Sequence, residues 1–181
     1  MHPSHLGPAE QIYPAAEVEA AIQRMAVAIT RDLEAGALHR PVVVLCVLSG
    51  AVVVVGQILP HLHFPLYLDC VQLSRYGAET RGGDLVWGLQ PRADLRGATV
   101  LLIDDILDEG LTLLELQDFC RKAGAADVRS AVMVRKSRPR EREVVVDYVG
   151  LEVPDRFVFG YGLDARGLGR NAPGIFALTE D

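Results

Sequence analysis

The sequence predicts one α/β domain built on a twisted, mainly parallel β-sheet with helices on both faces. The first observation is length, because 181 residues suit a single domain with a sizeable core. The second is the run VVVLCVL at 42–48, which is β-branched and lacks polar alternation, as in a strand covered on both sides. The third is the order strand, helix, strand over residues 99–134, which is typical of a parallel crossover.

The N-terminal part of the chain predicts an amphipathic helix at 15–35. Its apolar residues recur at three- and four-residue spacing, with Pro14 before the segment and Gly36 after it. Residues 51–62, which follow the VVVLCVL strand, are ambiguous. Four consecutive valines favour a strand, whereas the position between two strands favours a crossover helix, and we interpret the segment as a helix.

The middle of the chain returns to the sheet. A second strand is predicted at 65–73, and the polar, glycine-bearing stretch at 74–84 predicts a mobile loop. A short strand at 85–89 and a turn at 94–97 precede a buried strand at 99–103.

The C-terminal part completes the pattern. Helical spacing of apolar residues begins at Leu111 and ends at Gly124, before a strand at 128–134. Strand-like residues follow at 144–153 and 156–159, and the glycine-rich remainder is expected to be irregular.

Composition excludes several classes of protein. The apolar runs are too short to span a membrane, and the N-terminus lacks the features of a secretory signal, so we expect a cytoplasmic protein. Three scattered cysteines argue against disulfides and a zinc site. A net charge of -6 argues against general nucleic-acid binding, and the best basic segment, 135–142, is interrupted by Glu141.

An acidic pair gives the first functional signal. Asp104 and Asp105 follow the predicted strand at 99–103, and ligands bind at the carboxyl ends of strands in an open parallel sheet. Taken alone, the two carboxylates could equally cap the next helix or lie on a solvated face.

The residues after that pair narrow the chemistry. Asp108 adds a third carboxylate, Gly110 allows close backbone approach, and Thr112 brings a hydroxyl near a helix N-terminus that favours an anion. Carboxylates beside a phosphate repel it unless a divalent cation or ribose hydroxyls intervene. The turn therefore predicts a site for a magnesium-bound sugar phosphate.

The segment VLLIDDILDEGLTL resembles the ribose-phosphate motif of the type I phosphoribosyltransferases, in their hypoxanthine-guanine branch. Upstream, CVLSGA is similar to the pyrophosphate loop of that family, and SRYG is similar to the start of its catalytic loop. Downstream, Lys136 precedes DYVGLEVPDRFVFGYGLD, which resembles the purine pocket and metal segment, and Arg170 follows. The ordered matches cover about four-fifths of the chain, which makes chance resemblance improbable.

The resemblance implies transfer of a phosphoribosyl group from phosphoribosyl pyrophosphate to hypoxanthine or guanine, forming IMP or GMP with Mg²⁺ as cofactor. Asp108 would exchange a proton with purine N7, and Asp104 and Asp105 would hold the ribose hydroxyls and, with Asp164, the metal. The residues implied for phosphoribosyl pyrophosphate are Ser49, Gly50, Arg75, Tyr76, Asp104, Asp105, Glu109, Gly110, Leu111, Thr112 and Arg170.

The same resemblance implies a purine pocket and an assembly. Lys136 would donate to purine O6, Phe157 would stack on the base, the backbone of Val158 would read its edge, and Asp164 would complete the pocket. A small hood built from irregular N- and C-terminal residues would cover the base. The expected partners are these small-molecule substrates and further copies of the chain in a homodimer or homotetramer, with neither nucleic acid nor membrane.

Three residues depart from the family pattern. Glu109 replaces a threonine, Ser49 replaces a common basic residue, and Arg75 replaces a serine. We hypothesise that Glu109 turns outward and that Arg75 supplies the charge missing at Ser49. Substitution of Arg75 by Ser would then raise the Michaelis constant for phosphoribosyl pyrophosphate, and an unchanged constant would contradict the compensation.

These departures leave a second hypothesis open. The chain could be a regulatory protein that senses phosphoribosyl pyrophosphate or a nucleotide with little turnover. Retention of Asp108, Lys136 and Asp164 favours the enzyme, because a pure binder has less need of a base.

Overall fold

The computed structural model of the chain describes residues 6–37, 39–75 and 85–179. Its elements, in chain order, are β1 (Ala9–Pro14), α1 (Ala15–Ala37), β2 (Val42–Val47), α2 (Val52–Ile58, continued by a 3₁₀ turn at Leu59–His61), β3 (Tyr67–Arg75), β4 (Leu85–Leu89), β5 (Thr99–Leu107), α3 (Leu111–Lys122), β6 (Asp127–Lys136), β7 (Tyr148–Val153), β8 (Val158–Phe159) and β9 (Gly174–Leu178).

The larger sheet contains six strands in the order β4-β3-β2-β5-β6-β7, and its pairings are parallel except that of β3 with β4. From β2 the chain crosses through α2 to β3 on one side, and from β5 it crosses through α3 to β6 on the other. Because such crossovers are right-handed, α2 and α3 lie on opposite faces of the sheet. The predicted α/β class with helices on both faces is confirmed.

The core lies on both faces of β2 and β5. All six residues of β2 are at most 5% exposed, as the VVVLCVL run predicts. The helix at 15–35 is confirmed as α1, which buries the five apolar residues that define its periodicity, Val18, Ile22, Met25, Ile29 and Leu33. Each such buried side chain contributes roughly 1.5–3 kcal/mol relative to an exposed one. The interpretation of 51–62 as a helix is also confirmed.

Two predicted boundaries are wrong at the carboxyl edge of the sheet. Strand β5 does not end at residue 103 but continues to Leu107, because it stays paired with β6 as far as Leu107 and Arg135. Asp104 and Asp105 therefore lie inside a strand and not after it. Strand β3 likewise continues through Arg75 into the predicted loop, because it pairs with β4. The rest of that loop, 76–84, lies outside the described residues.

The hood is a second sheet of three strands in the order β1-β9-β8. The expectation of irregular termini is wrong for β1 and β9, which pair antiparallel from Ala9 with Leu178 to Pro14 with Gly174. Neither strand finds its partner nearby in the sequence, so local pattern gave no signal.

The strand-like segments at 144–153 and 156–159 are shorter than predicted. Strand β7 begins only at Tyr148, and residues before it are held by a side chain instead, since the buried Gln117 Nε2 donates to the Val145 carbonyl at 2.9 Å. Strand β8 comprises only Val158 and Phe159, which pair with β9. In the described part of the chain, no helix combines the length and apolar character needed to cross a membrane.

Candidate active site

A cleft of about 450 Å³ opens where the strand order reverses, between the carboxyl ends of β2 and β5. Ligands of open α/β sheets bind in this crevice. The loop after β2 forms one wall, the turn between β5 and α3 forms another, and the hood closes the third. Its lining residues include Ser49, Gly50, Asp104, Asp105, Asp108, Glu109, Gly110, Leu111, Thr112, Asp164 and Arg170.

The acidic pair forms the floor of this cleft. Asp104 is 9% exposed, and its Oδ1 accepts a hydrogen bond from the Asp105 backbone N–H at 2.9 Å. Burial, and then the charge of Asp105, raise the pKa of Asp104 well above its ordinary value. Burial also raises the pKa of Asp105, although the Arg170 charge acts in the opposite direction. The two carboxylates thus stand close together in a site that disfavours their charge, and a divalent cation would relieve that repulsion.

Gly50 is required for the position of Asp105. A Cβ atom at residue 50 would lie 1.8 Å from Asp105 Oδ2, so any larger residue would displace either the loop or the carboxylate. The peptide bond between Leu48 and Ser49 in the same loop is cis.

The N-terminus of α3 faces the cleft. Its N-cap is Gly110, which has φ of +79° and makes no side-chain cap. A Cβ atom there would lie 2.5 Å from Val144 Cγ2, so both backbone conformation and space require glycine. Leu111 and Thr112 of the first turn line the cleft. Their uncapped N–H groups and the helix dipole favour an anion such as phosphate.

Asp108 has two cationic partners. Lys136 Nζ donates to its Oδ2 and Arg138 Nη1 donates to its Oδ1, each at 2.8 Å. Partial burial works to raise the pKa of Asp108, but the hydrogen bonds and charges of Lys136 and Arg138 outweigh it and lower the pKa. Asp108 is therefore an ionised acceptor at neutral pH.

A smaller cavity of about 140 Å³ adjoins the cleft, a volume that suits one aromatic ring. Lys136, Phe157 and Val158 line it, together with Asp105 and Asp108. Lys136 is only 8% exposed, and its Nζ lies 5.9 Å from the centroid of the Phe157 ring, which is 52% exposed. A flat ligand stacked on Phe157 would therefore present its edge to the lysine.

The hood places Asp164 and Arg170 beside the cleft. Arg170 Nη1 donates to the Gly162 carbonyl and Nη2 pairs with Asp164 Oδ1, both at 2.6 Å. Asp164 Oδ2 also accepts from the Gly167 N–H at 2.7 Å. Gly162 has φ of +103°, and a Cβ there would lie 2.1 Å from the Gly50 carbonyl oxygen. This close approach holds the hood turn against the loop after β2.

The structure brings most of the sequence-predicted residues to these two cavities. The cleft contains every predicted phosphoribosyl pyrophosphate residue except Arg75 and Tyr76, and the smaller cavity contains Lys136, Phe157, Val158 and Asp164. Arg75 ends β3, but its side chain is not described, and Tyr76 lies outside the described residues. Their roles stay predictions.

Sequence reasoning missed Arg138 and Arg140. Arg140 Nε donates to the Asp108 carbonyl at 2.7 Å, and its Nη2 donates to the carbonyls of Leu107 and Lys136 at 3.0 and 2.7 Å. This guanidinium ties the end of β5 to the end of β6. The signal in the sequence is the basic segment 135–142.

The carboxylates of the cleft are possible oxygen ligands of a metal ion. Within the described ranges, no group of three or more His, Cys, Asp or Glu side chains is arranged to hold one. Mg²⁺ is commonly held by one or two carboxylates plus substrate phosphates and water, so the Asp104 and Asp105 pair matches that chemistry. Both oxygens of Asp164 already accept from protein donors, although each keeps a second lone pair.

The sequence of the chain is similar to those of known proteins. A family model described as the phosphoribosyl transferase domain matches residues 8–166. The chain is 31% identical over 162 residues to the hypoxanthine-guanine phosphoribosyltransferase of Aquifex aeolicus, covering 88% of this chain and 90% of that protein. It is 29% identical over 170 residues to the hypoxanthine-guanine-xanthine phosphoribosyltransferase of Tritrichomonas foetus, covering 93% and 91%.

The fold is similar to solved structures as well. It superposes with a TM-score of 0.87 on a mutant Trypanosoma cruzi hypoxanthine phosphoribosyltransferase in a ternary complex with substrates. The two chains are 26% identical, and the match covers 94% of this chain and 95% of the other.

Proposed function

Because this chain belongs to the phosphoribosyltransferase family, in its 6-oxopurine branch, we propose that it converts hypoxanthine or guanine and phosphoribosyl pyrophosphate to IMP or GMP and pyrophosphate. One observation carries the proposal: Asp105, Asp108 and Asp164 line both cavities. A purine in the smaller cavity and a phosphorylated sugar in the cleft would meet beside Asp108, where the new bond forms.

The smaller cavity supplies the groups that a 6-oxopurine needs. Phe157 stacks on the base, the backbone of Val158 reads its edge, and Lys136 donates to O6. Adenine presents an amino donor at that position, which a buried ammonium cannot pair with. Asp108 accepts the proton from N7 as N9 bonds to the sugar.

The cleft supplies the groups that the sugar phosphate needs. The N–H groups at the start of α3 bind the 5-phosphate, and Asp104 and Asp105 accept from the ribose hydroxyls. Arg170 and the loop at Ser49 and Gly50 hold the pyrophosphate. Its departure leaves a sugar with oxocarbenium character, so catalysis requires mainly positioning and neutralisation of charge.

Asp104, Asp105 and Asp164 would hold Mg²⁺ at the same end of the site. When bound, the ion supplies the positive charge that the departing pyrophosphate needs. The raised pKa values of Asp104 and Asp105 agree with this role, because the charged forms of two adjacent carboxylates are disfavoured without a cation.

A spectrophotometric assay with hypoxanthine, guanine, xanthine and adenine, with and without Mg²⁺, tests the proposal. We expect Mg²⁺-dependent nucleotide formation from hypoxanthine or guanine and none from adenine. No product from any base would favour a sensor of phosphoribosyl pyrophosphate or nucleotide, which the anionic Glu109 at the cleft supports. Light scattering tests the accompanying proposal of a homodimer or homotetramer.

A further inference from the structure

We propose that Arg138 is a positioning residue for Asp108: it holds the carboxylate from outside the purine cavity. This inference rests on the proposed function, because it takes Asp108 as the group that exchanges a proton with the purine.

The two cations bind different oxygens of the Asp108 carboxylate. Lys136 bonds Oδ2 and lines the smaller cavity, whereas Arg138 bonds Oδ1 and is not one of the residues that line it. When a purine enters, Lys136 must be shared between Asp108 and O6, but Arg138 can stay where it is. Each carboxylate oxygen has two lone pairs, so Asp108 keeps an acceptor position for the N7 proton.

The segment after β6 fixes Arg138 in this position. Its backbone N–H donates to the Lys136 carbonyl at 3.0 Å, and Arg140 binds the carbonyls of Leu107, Asp108 and Lys136. Asp155 Oδ1 lies 3.6 Å from Arg138 Nη1, the same nitrogen that binds Asp108 Oδ1. One end of the guanidinium thus faces both carboxylates.

The local charges show what Arg138 contributes. Lys136 and Arg138 both face the carboxylates of Asp108 and Asp155, and the Arg140 guanidinium binds the Asp108 carbonyl nearby. The hydrogen bond to Asp108 raises the pKa of Arg138, and the charges of Asp108 and Asp155 act in the same direction. Without Arg138, the Asp108 carboxylate would depend on Lys136, which must also bind O6.

The first test compares Arg138→Gln with Arg138→Lys. Loss of one charge-assisted hydrogen bond is expected to lower kcat roughly tenfold in Arg138→Gln, with the Michaelis constant for phosphoribosyl pyrophosphate unchanged. A nearby positive charge favours ionised Asp108, so its loss raises the pKa of Asp108. The acid limb of the kcat profile should therefore move to higher pH, and Arg138→Lys should keep it near the wild-type position.

Arg135→Gln is the matched control. Arg135 lies near the end of β6, three residues before Arg138, but it pairs with Glu152, with Nε 2.7 Å from Oε1, and lines neither cavity. This variant should keep the wild-type pH profile. Thermal melting of each variant shows whether it is folded.

A titration that needs no turnover separates this inference from the proposed function. The pKa of Asp108 can be followed by carboxyl ¹³C NMR, with the signal assigned through Asp108→Asn. A higher pKa in Arg138→Gln supports the inference, and an unchanged pKa overturns it. By contrast, a wild-type chain that gives no product from any base overturns the proposed function, whatever the titration shows.

Discussion

The acidic pair and Asp108 come from the same stretch of chain, yet their surroundings are opposite. Asp104 is buried and Asp105 is half-buried beside it, and burial with like charge raises the pKa of Asp104. Asp108 stands at the mouth of the smaller cavity between Lys136 and Arg138, and its pKa is lowered. The end of one strand therefore presents both a pair of carboxylates whose charged forms are disfavoured and a carboxylate whose charged form is favoured.

In the proposed reaction, the end of one strand and the turn after it would serve both substrates. The pair is suited to a ligand that brings positive charge or hydroxyl donors, whereas Asp108 is suited to accept a proton at neutral pH. Environments that separate the pKa values of neighbouring acids are a common way to divide roles within an active site. Substitution of each of these carboxylates and of Lys136 tests that division.

Asp108→Asn should have the largest effect. Loss of the proton acceptor is expected to lower kcat roughly 10²- to 10⁴-fold, while calorimetry should still detect binding of phosphoribosyl pyrophosphate with Mg²⁺. The control is Asp118→Asn, which should keep full activity. Asp118 is an exposed aspartate of α3 that pairs with Arg121. Retention of more than a tenth of wild-type kcat would remove Asp108 from the role of base.

Asp105→Asn should act at the other end of the cleft. We expect roughly a 100-fold loss in kcat/KM for phosphoribosyl pyrophosphate, because asparagine keeps an acceptor but brings no charge to Mg²⁺ or ribose. The Michaelis constant for hypoxanthine should change little. The division of roles fails if the loss falls on hypoxanthine instead.

Lys136→Gln should have a smaller and more selective effect. We expect kcat/KM for hypoxanthine to fall roughly tenfold, since one buried donor to O6 is lost. Adenine should become a relatively better competitor, because the glutamine oxygen can accept from its amino group. Steady-state kinetics give the ratio of kcat/KM for hypoxanthine to that for adenine. An unchanged ratio would contradict O6 recognition by Lys136.

Asp104→Asn should change stability and has the smallest expected effect. The folded pKa of Asp104 is raised above the unfolded value, so its contribution to stability is present at low pH and is lost as pH rises through the folded pKa. Asparagine cannot ionise and so avoids this loss of stability. The ligand-free protein should therefore melt several degrees higher at neutral pH, since each kcal/mol of stability raises the melting temperature by about 2–4 °C. Scanning calorimetry in acidic and neutral buffers measures the change. A lower melting temperature at neutral pH would show that the Asp104 charge does not destabilise the ligand-free protein.

The two sheets differ in how far the sequence predicted them. The VVVLCVL run and the periodicity of α1 predicted the larger sheet and its cover, because burial on one or both faces leaves a pattern in neighbouring residues. The hood sheet left no such pattern. Strand β1 finds its partner β9 at the other end of the chain, so its pairing depends on the completed fold.

The candidate site divides in the same way. Residues 104–112 determined by themselves that carboxylates, a glycine and a helix N-terminus would lie together, since consecutive residues at a strand end cannot separate. Only the tertiary structure decided which carboxylate would be ionised, because Lys136 and Arg138 reach Asp108 from 28 and 30 residues away. Electrostatic environment depends on distances through space, which the order of residues in the chain does not fix.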